Sequence, residues 1–266
     1  MRLIDSHAHY EHNRFDTDRD ALLQSMPDRG VDAIINVGCD IPSSIASVKL
    51  AEAYLHVYAT VGVHPHEAKS LTDAKLNELK QLCTHEKVVA FGEIGLDFHY
   101  DFSPRDVQRY WFKRQLELVA ELDLPVVIHS READEEVYNT ITESAVRRGV
   151  IHCFPGDGEL AAAYANLGFH IGVGGVLTYD KTGKLRAAVA AVPLEKILLE
   201  TDAPYLTPVP FRGKRNESQY LIHVAEEIAK IKGISVEEVC AATSDNVKKL
   251  FFMYSELTSK LSKAKP

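Results

Sequence analysis

Residues 88–97 read VVAFGEIGLD, and this stretch shows both features on which the fold prediction rests. It begins as a continuous apolar run and not as an alternation of apolar and polar residues, which is typical of a parallel strand buried on both faces. Its second half brings two carboxylates, Glu93 and Asp97, in among glycines and apolar residues. We therefore predict a strand over residues 88–96 and, because both of its faces are buried, helices that cover it.

Seven further stretches share this apolar, β-branched composition. They are residues 3–8, 33–39, 57–63, 125–129, 149–154, 170–176 and 197–201. Amphipathic patterns occupy the intervals, and the clearest predicts a helix over residues 104–122 with Ser103 as its N-cap and Pro104 at its first position. Weaker helical patterns cover residues 18–28, 43–54, 72–84, 133–144, 159–167 and 183–192.

Two more helices are predicted past the eighth strand, over residues 217–231 and 235–252. The second begins with a capping box formed by Ser235 and Glu238. Eight β/α units in 266 residues predict an α/β protein with a closed (β/α)8 TIM barrel, a single domain with a short C-terminal helical extension. An open doubly wound sheet is the alternative. We expect the domain to span residues 1–255 and the tail, residues 256–266, to fray.

The composition excludes several classes of protein. With 45% hydrophobic and 26% charged residues, the chain is neither disordered nor fibrous. No apolar run approaches the length of a membrane helix and no signal peptide is recognisable, so we expect a cytoplasmic protein without membrane contact. Four cysteines without a C-x-x-C pair predict neither disulfides nor a cysteine zinc site. A net charge of −8 confines any nucleic-acid contact to a local site.

The 12 histidines are the unusual count, and half of them fall where predicted strands end, which is where a barrel carries its chemistry. His7 and His9 lie two apart on the first strand, so both rings point to one side and can bind one ion. His129 and His152 end consecutive strands and could hold a second ion. Glu93 is a buried carboxylate that two cations would balance, so we predict that it bridges them; a capping role is the alternative.

Further polar residues at strand ends extend this site. Asp202 ends the eighth strand and could contact one ion and accept a proton from its bound water, with helix capping as the alternative. His64 and His66 follow the third strand; we predict that His64 donates a hydrogen bond to a phosphate oxygen, and His66 less clearly so, unless a turn at Pro65 explains both. Cys153 should point to the opposite face from its neighbour His152, which argues against thiol catalysis.

Basic residues on the same face are candidate phosphate ligands. Arg131 lies two residues past His129, and a short cluster follows the eighth strand: Arg212, Lys214 and Arg215. A solvated loop with ion pairs, for example to Glu217, is the alternative for this cluster. Two aromatic residues, Tyr205 and Phe98, could stack on a base or equally serve packing.

These motifs resemble those of the TatD family of metal-dependent deoxyribonucleases. The resemblance rests on His7-x-His9, residues 92–97 (GEIGLD), His129, residues 152–154 (HCF), residues 200–206 (ETDAPYL) and residues 210–217 (PFRGKRNE), and it spans about residues 2–252. It implies a TIM barrel of the amidohydrolase-like superfamily. It also implies a set of metal ligands: His7, His9, Glu93, His129, His152 and Asp202.

The resemblance implies a divalent-metal-dependent hydrolase that cleaves DNA phosphodiester bonds, as a 3′ to 5′ exonuclease. We predict a binuclear site with two divalent ions, zinc, manganese or magnesium, at which Asp202, Glu93 and His64 are catalytic and His64, His66, Arg131 and Arg212 contact the substrate. The expected partner is DNA, at single-stranded ends, or a small phosphate ester. A phosphatase, phosphotriesterase or amidohydrolase acting on a small molecule is the alternative, and a non-catalytic metal-binding protein is a further one.

Overall fold

The computed structural model of the protein describes residues 2–252. Within them eight strands form one sheet in which each strand pairs in parallel with the next along the chain. The strands are β1 (Leu3–Ala8), β2 (Val31–Val37), β3 (Val57–Val61), β4 (Val88–Asp97), β5 (Val126–Arg131), β6 (Gly149–Ile151), β7 (His170–Val173) and β8 (Ile197–Leu199). Their order and direction confirm the predicted α/β barrel.

Helices follow the strands as the alternating pattern predicted. They are α1 (Arg19–Ser25), α2 (Ile41–Ala53), α3 (Asp73–Leu82), α4 (Arg105–Leu122), α5 (Asp134–Glu143), α6 (Gly158–Asn166), α7 (Lys184–Ala191), α8 (Leu221–Lys232) and α9 (Val236–Val247). A π-helical turn, Lys248–Phe252, extends α9. The predicted tail lies outside the described residues. Among residues 2–252, no helix combines the length and apolar character that crossing a membrane requires.

The start of α4 differs from the prediction. The helix begins at Arg105 with Pro104 in the N-cap position, so Ser103 is not the cap. The Ser103 hydroxyl instead donates a hydrogen bond to the carbonyl of His66 (2.8 Å) and accepts one from the backbone of Lys69 (3.0 Å). The serine therefore joins two βα loops. The capping box predicted at the start of α9 is present.

The barrel closes where β8 returns to β1, and backbone hydrogen bonds join the two at their carboxyl ends. The amide of Asp202 donates to the carbonyl of His7 (2.9 Å), and the amide of His9 donates to the carbonyl of Ala203 (2.8 Å). Because these hydrogen bonds lie on either side of Ala8, between the two histidines, they hold residues from the beginning and the end of the barrel in one register.

A buried carboxylate supports this junction from below. Asp5 is fully buried and accepts hydrogen bonds from the hydroxyls of Thr201 and Ser218, both at 2.6 Å. Burial raises the pKa of Asp5 to about 6, although these hydrogen bonds favour the charged form. Because protein groups already supply the hydrogen bonds of the Asp5 carboxylate, we assign this residue a structural role.

The amino ends of the strands enclose an apolar cluster. It combines residues near the beginnings of six strands, namely Ile4, Ala33, Val89, Val127, Val150 and Leu198. Side chains from α9 and the following turn, Val247, Leu250 and Phe251, complete this cluster, and Phe251 is fully buried. The C-terminal extension therefore closes the amino end of the barrel. We call this cluster the apolar floor.

Candidate metal centre

Side chains from β1 and from the end of β8 converge at the carboxyl end of the barrel. The Nε2 atoms of His7 and His9 lie 3.1 Å apart. Nδ1 of His9 is 3.0 Å from the carbonyl oxygen of Val37, to which it can donate, so Nε2 is the atom left for a ligand. One Asp202 oxygen is 3.3 Å from His9 Nε2 and 3.9 Å from His7 Nε2. The three side chains form one group of potential ligand atoms.

Glu93 lies at the middle of the centre, and its two oxygens face different histidines. Oε2 is 3.4 Å from His7 Nε2, whereas Oε1 is 2.9 Å from His129 Nδ1 and 3.6 Å from His64 Nε2. Burial opposes ionisation of this carboxyl, but the imidazoles around it, including His152, hold its pKa well below the ordinary value. Glu93 is therefore an anion with histidines on both sides.

His152 approaches from the end of β6, and its ring stacks on that of His7 with the centroids 3.4 Å apart. Nδ1 of His152 is 3.1 Å from Oε2 of Glu200, while the other oxygen of Glu200 accepts the backbone N–H of Cys153 (2.6 Å). Burial opposes protonation of His152, but the Glu200 carboxylate raises its pKa to about 9. A Cβ at Gly172 would lie 2.2 Å from Oε2 of Glu200, so glycine leaves room for this carboxylate.

The structure divides the histidines differently from the predicted pairing. His129 groups with His64 around Glu93, and His152 groups with His7 around the same carboxylate. All six predicted ligands are nevertheless within one buried centre, and this placement follows from the parallel strands, whose carboxyl ends meet on one face. A Cβ at Gly95 on β4 would lie 1.9 Å from the His129 carbonyl oxygen, so this glycine allows β4 and β5 to approach closely.

The donor chemistry of the centre fits divalent metal ions. Two imidazole nitrogens only 3.1 Å apart, of His7 and His9, require a proton or a cation between them. Next to them, burial opposes ionisation of Asp202, but the hydrogen bond to His9 and the charge of His152 lower its pKa. Imidazole nitrogens with carboxylate oxygens are suitable ligands for zinc, manganese and related ions.

The model of the TatD related DNase family matches residues 4–252 of the chain. The chain belongs to the TatD family. The metal-dependent hydrolase YabD of Bacillus subtilis is 40% identical over 251 residues, which cover 94% of this chain and 98% of that protein. The 3′-5′ ssDNA/RNA exonuclease TatD of Escherichia fergusonii is 37% identical over 248 residues, covering 90% and 95%.

A solved structure agrees with this assignment. The crystal structure of YJJV, a TatD homolog from Escherichia coli K12, matches with a TM-score of 0.88 at 34% identity and covers 94% of this chain and 98% of that one. The family match, these relatives and this structure confirm the predicted fold and the predicted class, a metal-dependent hydrolase of the nuclease type.

In this TatD protein, His64 is buried beside Glu93 and has a defined tautomer. Its Nδ1 accepts the backbone N–H of His66 (3.2 Å), which leaves the ring hydrogen on Nε2. Burial, together with His129, holds the pKa of His64 well below the ordinary value, so the ring is neutral. His66 is farther out, with Nε2 2.7 Å from Oδ2 of Asp97. Pro65 does begin a turn here, and the turn directs both rings toward the centre.

The predicted basic residues take two different environments. Arg131 is exposed, lines the cavity above the metal centre and places its guanidinium carbon 4.7 Å from the ring centroid of Tyr100. Arg212 lies 3.7 Å above the ring of Tyr179, and one of its nitrogens is 3.4 Å from the carbonyl oxygen of Thr207. It is not among the residues that line this cavity of about 1010 Å3.

Arg215 fits the alternative interpretation of the basic cluster, a loop whose charges form ion pairs. It forms ion pairs with Asp18 (2.7 Å) and Glu217 (3.0 Å), which also hold the loop after β8 against α1. The basic cluster therefore divides into a structural member, Arg215, and exposed members, Arg212 and Lys214. Of the predicted phosphate ligands, Arg131 is the one at the cavity.

The two predicted stacking residues, Phe98 and Tyr205, also have different environments. Phe98 is partly buried with the guanidinium groups of Arg105 and Arg109 above it at 4.6 and 5.0 Å, so it serves packing. Tyr205 is exposed, lines the cavity and has its hydroxyl 3.0 Å from His12 Nε2. His12 had no predicted role; its position three residues past His9 was the available signal.

Two cysteines lie beside the centre. Sγ of Cys39, which has no predicted role, is 3.6 Å from Oε2 of Glu93. The argument that strand alternation turns Cys153 away is wrong, because β6 ends at Ile151 and Cys153, with a φ of 45°, lines the cavity. Burial raises the pKa of both thiols, that of Cys39 to about 12, so neither is a thiolate nucleophile and the conclusion drawn for Cys153 stands.

Proposed function

We propose that this TatD protein is a metal-dependent exonuclease that hydrolyses phosphodiester bonds at the 3′ ends of single-stranded DNA. The observation that carries the proposal is the position of Glu93, an ionised carboxylate with one oxygen toward His7 and the other toward His129. Such a carboxylate can bridge two ions, and paired ions are suited to displacement at phosphorus. The name of the Escherichia fergusonii relative, a 3′-5′ ssDNA/RNA exonuclease, supports the polarity and the substrate.

Residues on both sides of Glu93 would hold two ions. His7, His9 and Asp202 would bind one, with His152 beside His7, whereas His129 would bind the other, and Glu93 would lie between them. His64 lies beside Glu93 and His129, but its hydrogen on Nε2 makes it a donor there and not a ligand. When bound, divalent ions would supply positive charge that lowers the pKa of water and offsets the charge of the scissile phosphate. Zinc, manganese and magnesium are the candidates, and the imidazole-rich ligand set favours the first two.

The chain's own residues then handle the proton and the phosphate. Asp202 is ionised, lines the cavity and can accept a proton from the attacking water. Neutral His64 has its ring hydrogen on Nε2, directed toward the centre, and can donate it to a phosphate oxygen. His66, Arg131 and, farther away, Arg212 would contact the flanking nucleotide. For His66 the hydrogen bond to Asp97 competes with this role.

The activity is tested on protein stripped with a chelator and reloaded with zinc, manganese or magnesium. We expect metal-dependent shortening of a 5′-labelled single-stranded oligonucleotide from its 3′ end, and two ions per chain by elemental analysis. Small phosphate esters, phosphotriesters and lactones are assayed with the same preparation. If all three ions leave the DNA intact while a small ester is hydrolysed, the small-molecule hydrolase is correct and our proposal is wrong.

Substitution of the bridging carboxylate tests the site itself. We expect Glu93→Gln to lower kcat at least about a thousandfold, because a neutral amide cannot balance two cations. Glu67→Gln is the matched control, since Glu67 is an exposed glutamate at the rim of the same cavity. Equal activity of the folded Glu93→Gln variant and the control would place the metal centre elsewhere.

A further inference from the structure

The loop that follows β4 exposes two aromatic rings beside the metal centre. Tyr100 and Phe102 are 46% and 56% exposed, although large apolar side chains are usually covered. Their rings stack on each other with centroids 5.2 Å apart and planes only 12° from parallel. Tyr100 also lines the cavity above the metal centre. We call this pair the aromatic platform.

The platform is held in place by its own loop. The buried carboxylate of Asp97 accepts the backbone N–H groups of His99 (3.0 Å) and Tyr100 (2.9 Å). Farther along the loop, the ammonium group of Lys69 donates to the carbonyl of Phe102 (2.9 Å). The two rings are therefore presented on a fixed backbone, which lowers the entropic cost of binding a flat ligand against them.

The platform is connected to the centre through His66. The ring of His66 lies edge-on to both Tyr100 (5.5 Å) and Phe102 (4.8 Å) and is itself 4.3 Å from the ring of His64. One imidazole therefore separates the exposed pair from the residue that faces Glu93. A planar group on the platform would therefore lie one side chain away from His64, the residue predicted to contact the phosphate.

Arg131 brings a guanidinium group to the same platform. Arg131 places its guanidinium carbon 4.7 Å from the centroid of Tyr100. Within residues 2–252 no carboxylate forms an ion pair with it, whereas Arg215 on the opposite side is paired twice. In a chain of net charge −8, an unpaired guanidinium on an aromatic ring at the cavity is suited to an anionic, planar ligand.

We infer that the aromatic platform is a base-stacking subsite for the nucleotide next to the cleaved bond, with Arg131 on its phosphate. The inference rests on the proposed function and extends it to the choice of substrate. Every nucleobase has a π-face, so the subsite accepts any sequence. A base within a duplex is already stacked and paired, so the subsite favours single strands. Stacking also supplies affinity that the acidic surface cannot supply by charge.

Binding of a strand that resists hydrolysis separates this subsite from catalysis. The metal-loaded protein is titrated into a 5′-fluorescein thymidine dodecamer with phosphorothioate linkages, and into the same strand with abasic residues at its two 3′-terminal positions. We expect the wild-type protein to bind the intact strand at least about tenfold more tightly, and Tyr100→Leu/Phe102→Leu to reduce that ratio to within about twofold. Tyr110→Leu, an exposed tyrosine of α4 away from the cavity, should keep the wild-type ratio.

The possible outcomes distinguish the subsite from the proposed function. If the wild-type ratio is one, or if the double variant keeps a tenfold ratio, the subsite is wrong even when the unmodified strand is shortened normally. If the ratio behaves as expected while the unmodified strand stays intact, the subsite is correct and the exonuclease proposal is wrong. Far-ultraviolet circular dichroism checks that Tyr100→Leu/Phe102→Leu and Tyr110→Leu are both folded.

Discussion

At the carboxyl ends of its strands the barrel contains imidazoles and carboxylates around Glu93, whereas the amino ends enclose the apolar floor closed by Phe251. The two ends share the same eight strands and the same backbone pairing. The polar end accepts close contacts between like groups, such as the stacked rings of His7 and His152, which a structure selected for stability alone would avoid. The apolar floor contributes the stability that offsets this cost.

Two phenylalanines, one at each end, give the sharpest test of this division. Phe251→Ala removes a fully buried ring from the apolar floor and should lower the free energy of unfolding by about 3 to 5 kcal/mol. Phe102→Ala removes an exposed ring at the polar end and should change it by less than about 0.5 kcal/mol. Urea denaturation monitored by circular dichroism measures both.

Loss of stability at the apolar floor should not bring a loss of activity with it. At a temperature where Phe251→Ala is still folded, we expect its kcat and KM on single-stranded DNA to stay near the wild-type values. The division between the ends is wrong if Phe251→Ala impairs turnover while folded. Phe251→Leu, which leaves a smaller cavity, provides the same comparison if the alanine variant does not fold.

A smaller effect is expected at the polar end from Glu200→Gln. The carboxylate of Glu200 lies 3.1 Å from His152 Nδ1, close enough to orient this ring, so we expect the isosteric amide to weaken metal affinity about 10- to 100-fold. Competition with a fluorescent chelator measures the affinity. Glu195→Gln is the control, because Glu195 is an exposed glutamate just before the other end of β8. Unchanged metal affinity in Glu200→Gln would show that His152 is oriented without this carboxylate.

The smallest effect concerns His170, a titratable group at the amino end of β7. Burial, with the charge of Lys196, lowers its pKa to about 4. Below pH 6.5 the unfolded chain therefore binds a proton that the folded chain does not, and stability decreases as the pH falls from about 6.5 to about 4. Because His170 is partly exposed, we expect the wild-type protein to lose about 1 to 2 kcal/mol more than His170→Gln between pH 7 and pH 5.

Urea denaturation of both proteins at several pH values measures this difference. Lys196→Gln should reduce the pH-dependent loss, since it removes the neighbouring positive charge. Parallel stability profiles for the wild-type protein and His170→Gln would mean that His170 has the same pKa in the folded and unfolded states.

The sequence predicted the barrel, and it predicted which residues gather at the candidate metal centre, because both placements follow from repeated local patterns. Apolar runs separated by amphipathic intervals define the strands and helices, and the parallel arrangement then gathers strand-end residues such as His7, His129 and Asp202 on one face. Which histidines group together around Glu93 depends on side-chain directions, and these the spacing of residues does not determine.

Other features depended on contacts between distant parts of the chain. Arg215 is neutralised by Asp18, 197 residues away, although its local sequence is basic. Arg131 is followed by an acidic stretch, residues 132–136, yet within residues 2–252 no carboxylate forms an ion pair with it. The direction of Cys153 was mispredicted because β6 is three residues long, so strand alternation does not extend to it. No role was predicted for Tyr100 or Phe102, and their rings come together beside His66 only in the folded structure.

The backbone hydrogen bonds between β1 and the end of β8 also determine at what point of its synthesis the chain can complete its site. His7 is made with the first strand, but Asp202 and Ala203, which complete both the junction of β1 with β8 and the candidate metal centre, follow only after all eight strands have been made. A nascent chain that ends within β7 lacks Asp202 and the register that it imposes on His7 and His9. A metal-dependent hydrolase built in this way lacks a complete candidate metal centre until its last strand has been made.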